Sequence, residues 1–443
     1  MDDLARHALN RGIAAFLAVF LAGSAIVFLV DRLGGADQAR STPTRTPKGT
    51  HTPTQKPPPS TPDAVLAWLP GGLPGGFVDD LASLREVEQA TVASAGVAWL
   101  TRSLDAQGKV VDAPAAPYEI PLDVTVVDVP TFAAVLPGPA RRQVLDLQPG
   151  QGILSKSSAA LRGLGVGATL KFVDGASSTP VEILAVLPDV WVGGYELVVP
   201  RATGRDIGVT VDRYALFTMD KGVDLDADVL AAELGDFVPA DAVSTDVQVR
   251  VPGEVGLLRA DDLVLPPVAV KRRFGEFSAQ PAPFSPDDLQ IDPAWVDRNV
   301  STQTLPVFGT ITCNDKMFFW LRKIARKLEQ QGASTAVTEI EGCFEEASAL
   351  ADPLAPISLH AWGAAIDVDA DLDPAIEGGD QDPRVVRTME RWGFVWGSRL
   401  PTPDPIPHHY EYQHAPGSSD LPPAPTVTPS PTSSVSVSAS PAA

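Results

Sequence analysis

The sequence predicts a chain of the α+β class, and three observations predict it. From Ala64 to about Pro281, short apolar strand-like runs punctuated by Gly, Pro and Asp alternate with a few helical stretches. From about Ile291 to His414, two amphipathic helices stand among short strands, and this segment holds four of the six histidines: His360, His408, His409 and His414. Ahead of both lies a charge-free apolar run over residues 12–30.

That run would extend about 28 Å as a helix, at ~1.5 Å per residue, enough to span a bilayer. It is longer than the apolar region of a secretory signal, and no small-x-small cleavage site follows it. The run therefore reads as an uncleaved single-pass anchor, with residues 1–11 cytoplasmic and a cleaved signal peptide as the competing reading. Flanking charges orient it poorly, because Arg6 and Arg11 on one side face Arg32, Arg40, Arg45 and Lys48 on the other. Much of the chain's complement of 43 prolines crowds into the linker 31–63 and the Pro/Ser/Thr tail 415–443, neither of which has a period that could bury a face. A Thr/Pro stalk directly after an anchor reads as a surface spacer, which places the bulk of the chain outside the cell membrane. The only two cysteines, Cys313 and Cys343, suit one disulfide in such a compartment, although spacing alone leaves two buried thiols as an alternative. Neither has the spacing of a zinc-thiolate site.

Within 64–281, Val78–Leu84 reads as helix, Thr91–Leu100 and Leu122–Val129 as strands, and Ala159–Arg162 as a helical turn. Strands Val181–Leu187 and Tyr195–Val199 follow. The glycines Gly163, Gly165 and Gly167 lack the frame of a phosphate loop and read as turn chemistry. After a linker at 282–290, Asn314 and Asp315 are placed to cap a helix with apolar positions Met317, Phe318, Trp320, Leu321, Ile324 and Leu328, ending near Gly332. Ala336–Ile340 and Ala364–Val368 read as strands of a small antiparallel sheet. Asp382-Pro383 opens a second helix that runs through Arg391, with Gly393 after its end.

A formal net charge of -21 argues against nucleic acid as a partner, since phosphate binding needs a basic face. Chemistry concentrates where the histidines are. His360 and Asp367 stand seven residues apart in a frame of small residues, and His408 and His409 follow in the same region. Two imidazoles, one carboxylate and a water outline a zinc site with an open position, where the ion lowers the pKa of its water to roughly 7. Asp369, Asp371 and Asp373 alternate without the glycine and terminal glutamate of a calcium loop, and read as a solvated acidic loop. Trp362, Trp392 and Trp396 read as core and cleft walls.

The stretch SLHAWGAAIDV, Ser358 to Val368, matches an S-x-H-x-x-G-x-A-x-D signature, and ERWGFVWGSRLPTPDPIPHHYEY closes the lobe. Together with TLPVFGTITCN and EGCF, these resemble the VanY-type D-alanyl-D-alanine carboxypeptidase family, zinc peptidases related to endolysin L-alanyl-D-glutamate peptidases. The resemblance implies Zn²⁺ held by His360, Asp367 and His409, with His408 as the alternative to His409, and peptidoglycan stem peptides as substrate. It implies Asp404 as the catalytic acid–base, with His408 or Glu411 as substitutes, and Ser358 bonding backbone or supporting a ligand. The chain departs from the family at two points. The family's acid stands about three residues before the ligand histidine, whereas Asp404 stands five before His409. No Lys or Arg occurs from Leu328 to Pro383, so a substrate carboxylate would have to be gripped by Arg322, Arg326, Arg384 or Arg399. Residues 64–281 resemble, more weakly, the extracytoplasmic core domain of MacB-like exporter permeases, through LASLREVEQAT, LDLQPGQGILSKSSAALRGLGVGATLKF and VEILAVLPDVWVGGYELVVPR. This implies a spacer or a docking domain for a membrane-protein partner.

Overall fold

A strand that is buried on both faces is a central one, and Ile120–Val127, whose eight residues are all buried, Asp123 and Thr125 included, is the centre of the first lobe. The structure is a computed structural model that describes residues 63–413, apart from 175–176, 224, 243, 255–256, 260–264, 283–284, 347–356, 370–380 and 401–405. Strands β1 (Val65–Trp68), β2 (Val87–Leu104), β3 (Val110–Asp112), β4 (Ile120–Val127), β5 (Gln151–Ser155), β6 (Thr169–Asp174), β7 (Ser177–Leu187), β8 (Leu197–Pro200), β9 (Asp212–Met219) and β10 (Gln248–Arg250) form one sheet. The long β2 pairs β9 through its first half, β4 through its middle and β6 at its end. The pairings β2-β4-β8-β5-β7-β6 return to β2 and close a ring, while β9, β1 and β10 extend the sheet on the other side. Helices α1 (Phe77–Ser83), α2 (Val129–Val135), α3 (Gly138–Leu145), α4 (Lys156–Arg162), α5 (Arg201–Asp206) and α6 (Ala227–Gly235) connect these strands.

The final lobe comprises α7 (Pro267–Phe274), the hairpin β11 (Ala279–Ala282) and β12 (Ser285–Ile291), α8 (Pro293–Asn299) and the hairpin β13 (Val300–Leu305) and β14 (Gly309–Asn314). It continues with α9 (Met317–Gln330), β15 (Ile340–Gly342), β16 (Ala365–Val368), α10 (Pro383–Arg391), β17 (Phe394–Trp396) and β18 (His409–Tyr412). The last four strands form an antiparallel sheet in the order β15-β16-β18-β17. The mixed α+β class is as the sequence predicts. Among the described residues no helix is long and apolar enough to cross a membrane, and the run expected to be an anchor, 12–30, lies outside them.

Two boundaries differ from expectation. Residues 282–290 are not a plain linker: β12 pairs with β11, and Leu289 and Ile291 are buried while Gln290 between them is exposed. The final lobe's core also begins earlier than Ile291. Val270, Phe274 and Phe277 belong to it, with Phe277 at 4.7 Å from Trp362 and 5.4 Å from Trp295 between ring centres. The strand expected over Ala336–Ile340 starts only at Ile340. Before it, the Asp369 carboxylate accepts from Thr338 N and Glu339 N at 2.6 and 2.8 Å, and this holds a turn in place of a ladder. In contrast, α10 spans Pro383–Arg391 as read, with the Asp382 side chain accepting from Arg384 N. Helix α9 turns Met317, Phe318, Leu321, Ile324, Ala325 and Leu328 inward, but its N-terminus has no side-chain cap; Asn314 Oδ1 accepts from Lys316 N just ahead of it.

The described residues all fall in one compact unit, and the seam between its lobes is polar. Glu196, fully buried on β8's approach, meets Lys271 Nζ of α7 at 2.6 Å and Arg162 Nη1 of α4 at 2.8 Å. Arg162 also binds Glu276, which stands 3.3 Å from Lys271. Burial works to raise the Glu196 carboxyl's pKa, but the two cations outweigh it and hold it low. Backbone bonds between Glu119 and Ala279, in both directions, add to the seam.

Candidate metal centre

The site is built by one turn and two paired strands. Ser358 Oγ accepts from His360 N at 3.2 Å and caps the short 3₁₀ turn Leu359–Trp362. Ser358 therefore supports the backbone of His360. The turn ends at Gly363 with φ 61°, where an added Cβ would lie 2.5 Å from Asn314 N, so no other residue fits without displacing β14. The chain then enters β16. There Asp367 lies directly opposite His409 of β18, and directly opposed residues of an antiparallel pair point to the same face.

This register sets His409, rather than His408, beside Asp367. His409 shares a face with Asp367 and, two residues on, with Glu411, whereas His408 lies in the turn ahead of β18 and contributes its carbonyl to Val368 N at 2.8 Å. His360 Nε2, Asp367 Oδ1 and His409 Nδ1 converge. They are separated by 3.3 Å between the imidazoles, 3.4 Å from His360 to Asp367 and 2.7 Å from His409 to Asp367. Tetrahedral donors at zinc bond lengths of ~2.0–2.1 Å stand ~3.3–3.4 Å apart, so two of the three edges already have that spacing and the third needs to open slightly. Among the described residues, these three form the group able to hold a metal ion. The donor set, two nitrogens and one oxygen, suits Zn²⁺.

Each imidazole is oriented from behind. His360 Nδ1 lies 3.2 Å from the Cys343 carbonyl, to which it can only donate, and this leaves the lone pair on Nε2. His409 Nε2 lies 3.2 Å from Glu411 Oε1, which leaves Nδ1 as the ligand atom. Glu411 Oε2 in turn accepts from Gln413 Nε2 at 2.7 Å, and the Gln413 side chain accepts from Leu265 N, on the segment leading into α7. Burial opposes charge on His409, but the hydrogen bonds to Asp367 and Glu411 outweigh it and push its pKa up to about 9. Burial likewise opposes charge on Asp367, and its hydrogen bonds with the two histidines hold it well below the ordinary carboxylate range. Two acids thus compete for positive charge at one ring, whether supplied by a proton or by a metal ion. His360 and His409 are buried, and Asp367, with 19% of its side chain exposed, is the open side.

Of the other predicted residues, Asp404 lies outside the described residues. Glu411 stands behind His409, on the ring edge away from Asp367, where it can orient the ring. Its position two after His409 on a strand was the signal for this role. Cys313 and Cys343 form the expected disulfide. Three of the four candidate arginines are held elsewhere: Arg322 by Gln303, Arg384 by Asp382 and Arg399 by Glu390. Trp362 is core, and its Nε1 donates to Gly275 O at 3.1 Å.

The arrangement, two imidazoles and one carboxylate, is one that could hold a single metal ion. Residues 352–412, within the final lobe, match the family model described as D-alanyl-D-alanine carboxypeptidase. Among solved structures, the periplasmic region of MacB from Actinobacillus actinomycetemcomitans is similar at 11% identity and a TM-score of 0.28, covering 43% of this chain and 88% of that one. The extracellular domain of the noncanonic ABC-type transporter YknZ from Gram-positive bacteria is similar at 15% identity and a TM-score of 0.27, covering 42% and 99%. No curated protein matches the chain.

Proposed function

We propose that this protein is a membrane-anchored, externally displayed zinc peptidase that hydrolyses peptidoglycan stem peptides, either trimming a terminal D-alanine or cutting an internal bond at a D-residue. The observation that carries the reading is the convergence of His360 Nε2, Asp367 Oδ1 and His409 Nδ1 inside a segment matched by a carboxypeptidase family. Zinc, when bound, lowers the pKa of a coordinated water to about 7 and polarises the scissile carbonyl. Asp404 would supply the acid–base carboxylate, accepting a proton from the attacking water and donating one to the leaving amine. Glu411 and the Cys343 carbonyl hold the imidazoles in register, and the exposed flank of Asp367 is the side from which peptide enters. The run 12–30 anchors the chain, residues 31–63 space it from the membrane, and the first lobe is a spacer or a docking domain for a membrane-protein partner. A disulfide in the final lobe accords with an oxidising compartment.

One observation favours a second reading, a metal-stabilised wall-binding protein without turnover. The position three before His409 is Ile406, whose carbonyl accepts from His409 N at 3.1 Å, so an apolar residue stands where the family's acid is expected. Incubating the purified chain and zinc with stem peptides, and weighing the products, separates the readings. Released D-alanine or an internal cut supports the peptidase, and Asp404→Ala should then abolish turnover with zinc retained. Intact peptide in the presence of bound zinc supports the binding protein.

A further inference from the structure

We propose that Cys343 is a positioning residue for the metal centre: its bridge to Cys313 fixes the backbone carbonyl that sets the His360 imidazole with Nε2 toward Asp367 and His409. The inference rests on the metal-ligand reading above and assigns to the disulfide a task beyond holding the fold.

The turn that carries His360 is clamped from two sides. On one side Cys343 O faces His360 Nδ1 at 3.2 Å, and Glu345 N donates to His360 O at 3.1 Å. On the other, Asn314 N donates to Gly363 O at 3.1 Å. The segments 343–345 and 312–314 that form these clamps are tied to each other by Phe344 N to Thr312 O at 2.9 Å and, covalently, by the Cys313–Cys343 bridge. Strand β15, which delivers Cys343, has three residues and a register shift between Ile340 and Gly342, so its ladder holds the segment weakly. The bridge is therefore the firmest restraint on the carbonyl behind His360, and both cysteines are buried, at 0% and 3% exposure.

A neutral imidazole carries one N–H. With an acceptor fixed at Nδ1, the hydrogen sits there and Nε2 keeps its lone pair for a metal; with that acceptor displaced, the Nε2–H tautomer is no longer disfavoured and the ring is free to turn. Loss of such an outer-shell partner typically costs ~10–100-fold in metal affinity.

The test uses the full chain in three forms: unaltered, Cys313→Ala/Cys343→Val to fill the same buried space, and Leu81→Ala as a control destabilised in the core of the first lobe. Zinc affinity is measured by chelator competition, and the His360 tautomer by long-range ¹H–¹⁵N spectra of zinc-stripped protein. The bridge-less form should bind zinc ~10–100-fold more weakly and lose the Nδ1–H signature, while Leu81→Ala keeps both at the unaltered level. Should the double variant not fold, the unaltered protein is reduced with a phosphine, which takes oxygen from water as the disulfide becomes two thiols, and is measured while its near-ultraviolet dichroism persists. Equal affinity and an unchanged tautomer without the bridge overturn the inference alone. So does loss of folding in both bridge-less forms, which makes the bridge a fold element only. Absence of stoichiometric zinc on the unaltered chain overturns the proposed function and this inference together.

Discussion

The lobe seam and the metal centre each bury four ionisable side chains, and they meet the cost of burial in opposite ways. At the seam, Arg162 and Lys271 face Glu196 and Glu276, so each buried charge has a permanent countercharge within 3.3 Å. At the metal centre, Asp367 and Glu411 face His360 and His409, whose charge is conditional. Removing charges from water costs several kcal/mol per ion unless partners compensate. The seam is compensated by its own residues; the centre is compensated only by something it takes up. A buried cluster that lacks a fixed cation is therefore the one to read as a binding site, whereas the seam, although more highly charged, is structure.

The sharpest way to break this contrast is to delete a ligand. His360→Ala or His409→Ala removes one of three donors, and stoichiometric zinc should disappear on dialysis against a metal buffer that leaves the unaltered chain loaded. Retention of zinc by both variants would remove the basis for treating the two clusters differently. At the seam the effect should fall on stability. Lys271→Met leaves Glu196 with Arg162 as its one paired cation and the Asp123 N–H as its other donor, and should destabilise the chain by about 3–5 kcal/mol in chemical denaturation, with zinc affinity unchanged in the folded protein.

How much of this was legible in the sequence depended on whether the cause was local. Helix α10 was readable to the residue, since Asp382, Pro383 and Gly393 are start and stop signals within its own span. The ten-position frame from Ser358 to Asp367 likewise pointed to His360 and Asp367 as candidate donors, though not to the 3₁₀ turn that carries His360. The ending His409-Tyr410-Glu411 already pointed to His409, but the physical reason that it and not His408 stands beside Asp367 is the β16–β18 register, which no single segment contains. The β11–β12 hairpin was hidden because Pro281, Pro286 and two aspartates look like punctuation, and the buried alternation at its end is only Leu289-Gln290-Ile291. The seam was invisible for a third reason: Arg162, Glu196, Lys271 and Glu276 have no common period, and only the tertiary fold assembles them.

A smaller effect should follow from the residue behind the ligand. Glu411→Gln keeps an acceptor at His409 Nε2 but removes the charge and disturbs the bond from Gln413. Zinc affinity should drop ~10–100-fold, and the pKa of His409 in stripped protein should fall from its raised value of about 9. An unchanged affinity would show that His409 needs no carboxylate to hold its orientation.

The gentlest test changes only pH. In zinc-stripped protein the His409 pKa is raised from 6.5 to about 9, so its stabilising contribution is present in full below about 6.5 and is lost as pH rises through about 9. Zinc must displace that proton, so between these limits its affinity should rise by about tenfold per pH unit, one proton being released per ion bound. The same titration therefore makes the stripped chain less stable and the zinc-bound chain relatively more so as pH rises. Glu196 at the seam is held below its ordinary pKa of 4.5 and stays ionised throughout this window, so it adds no slope. Thermal unfolding of stripped and loaded protein from pH 6 to 9 should give curves that diverge. Parallel curves would mean that proton and zinc do not compete for one nitrogen, and would separate His409 from the metal.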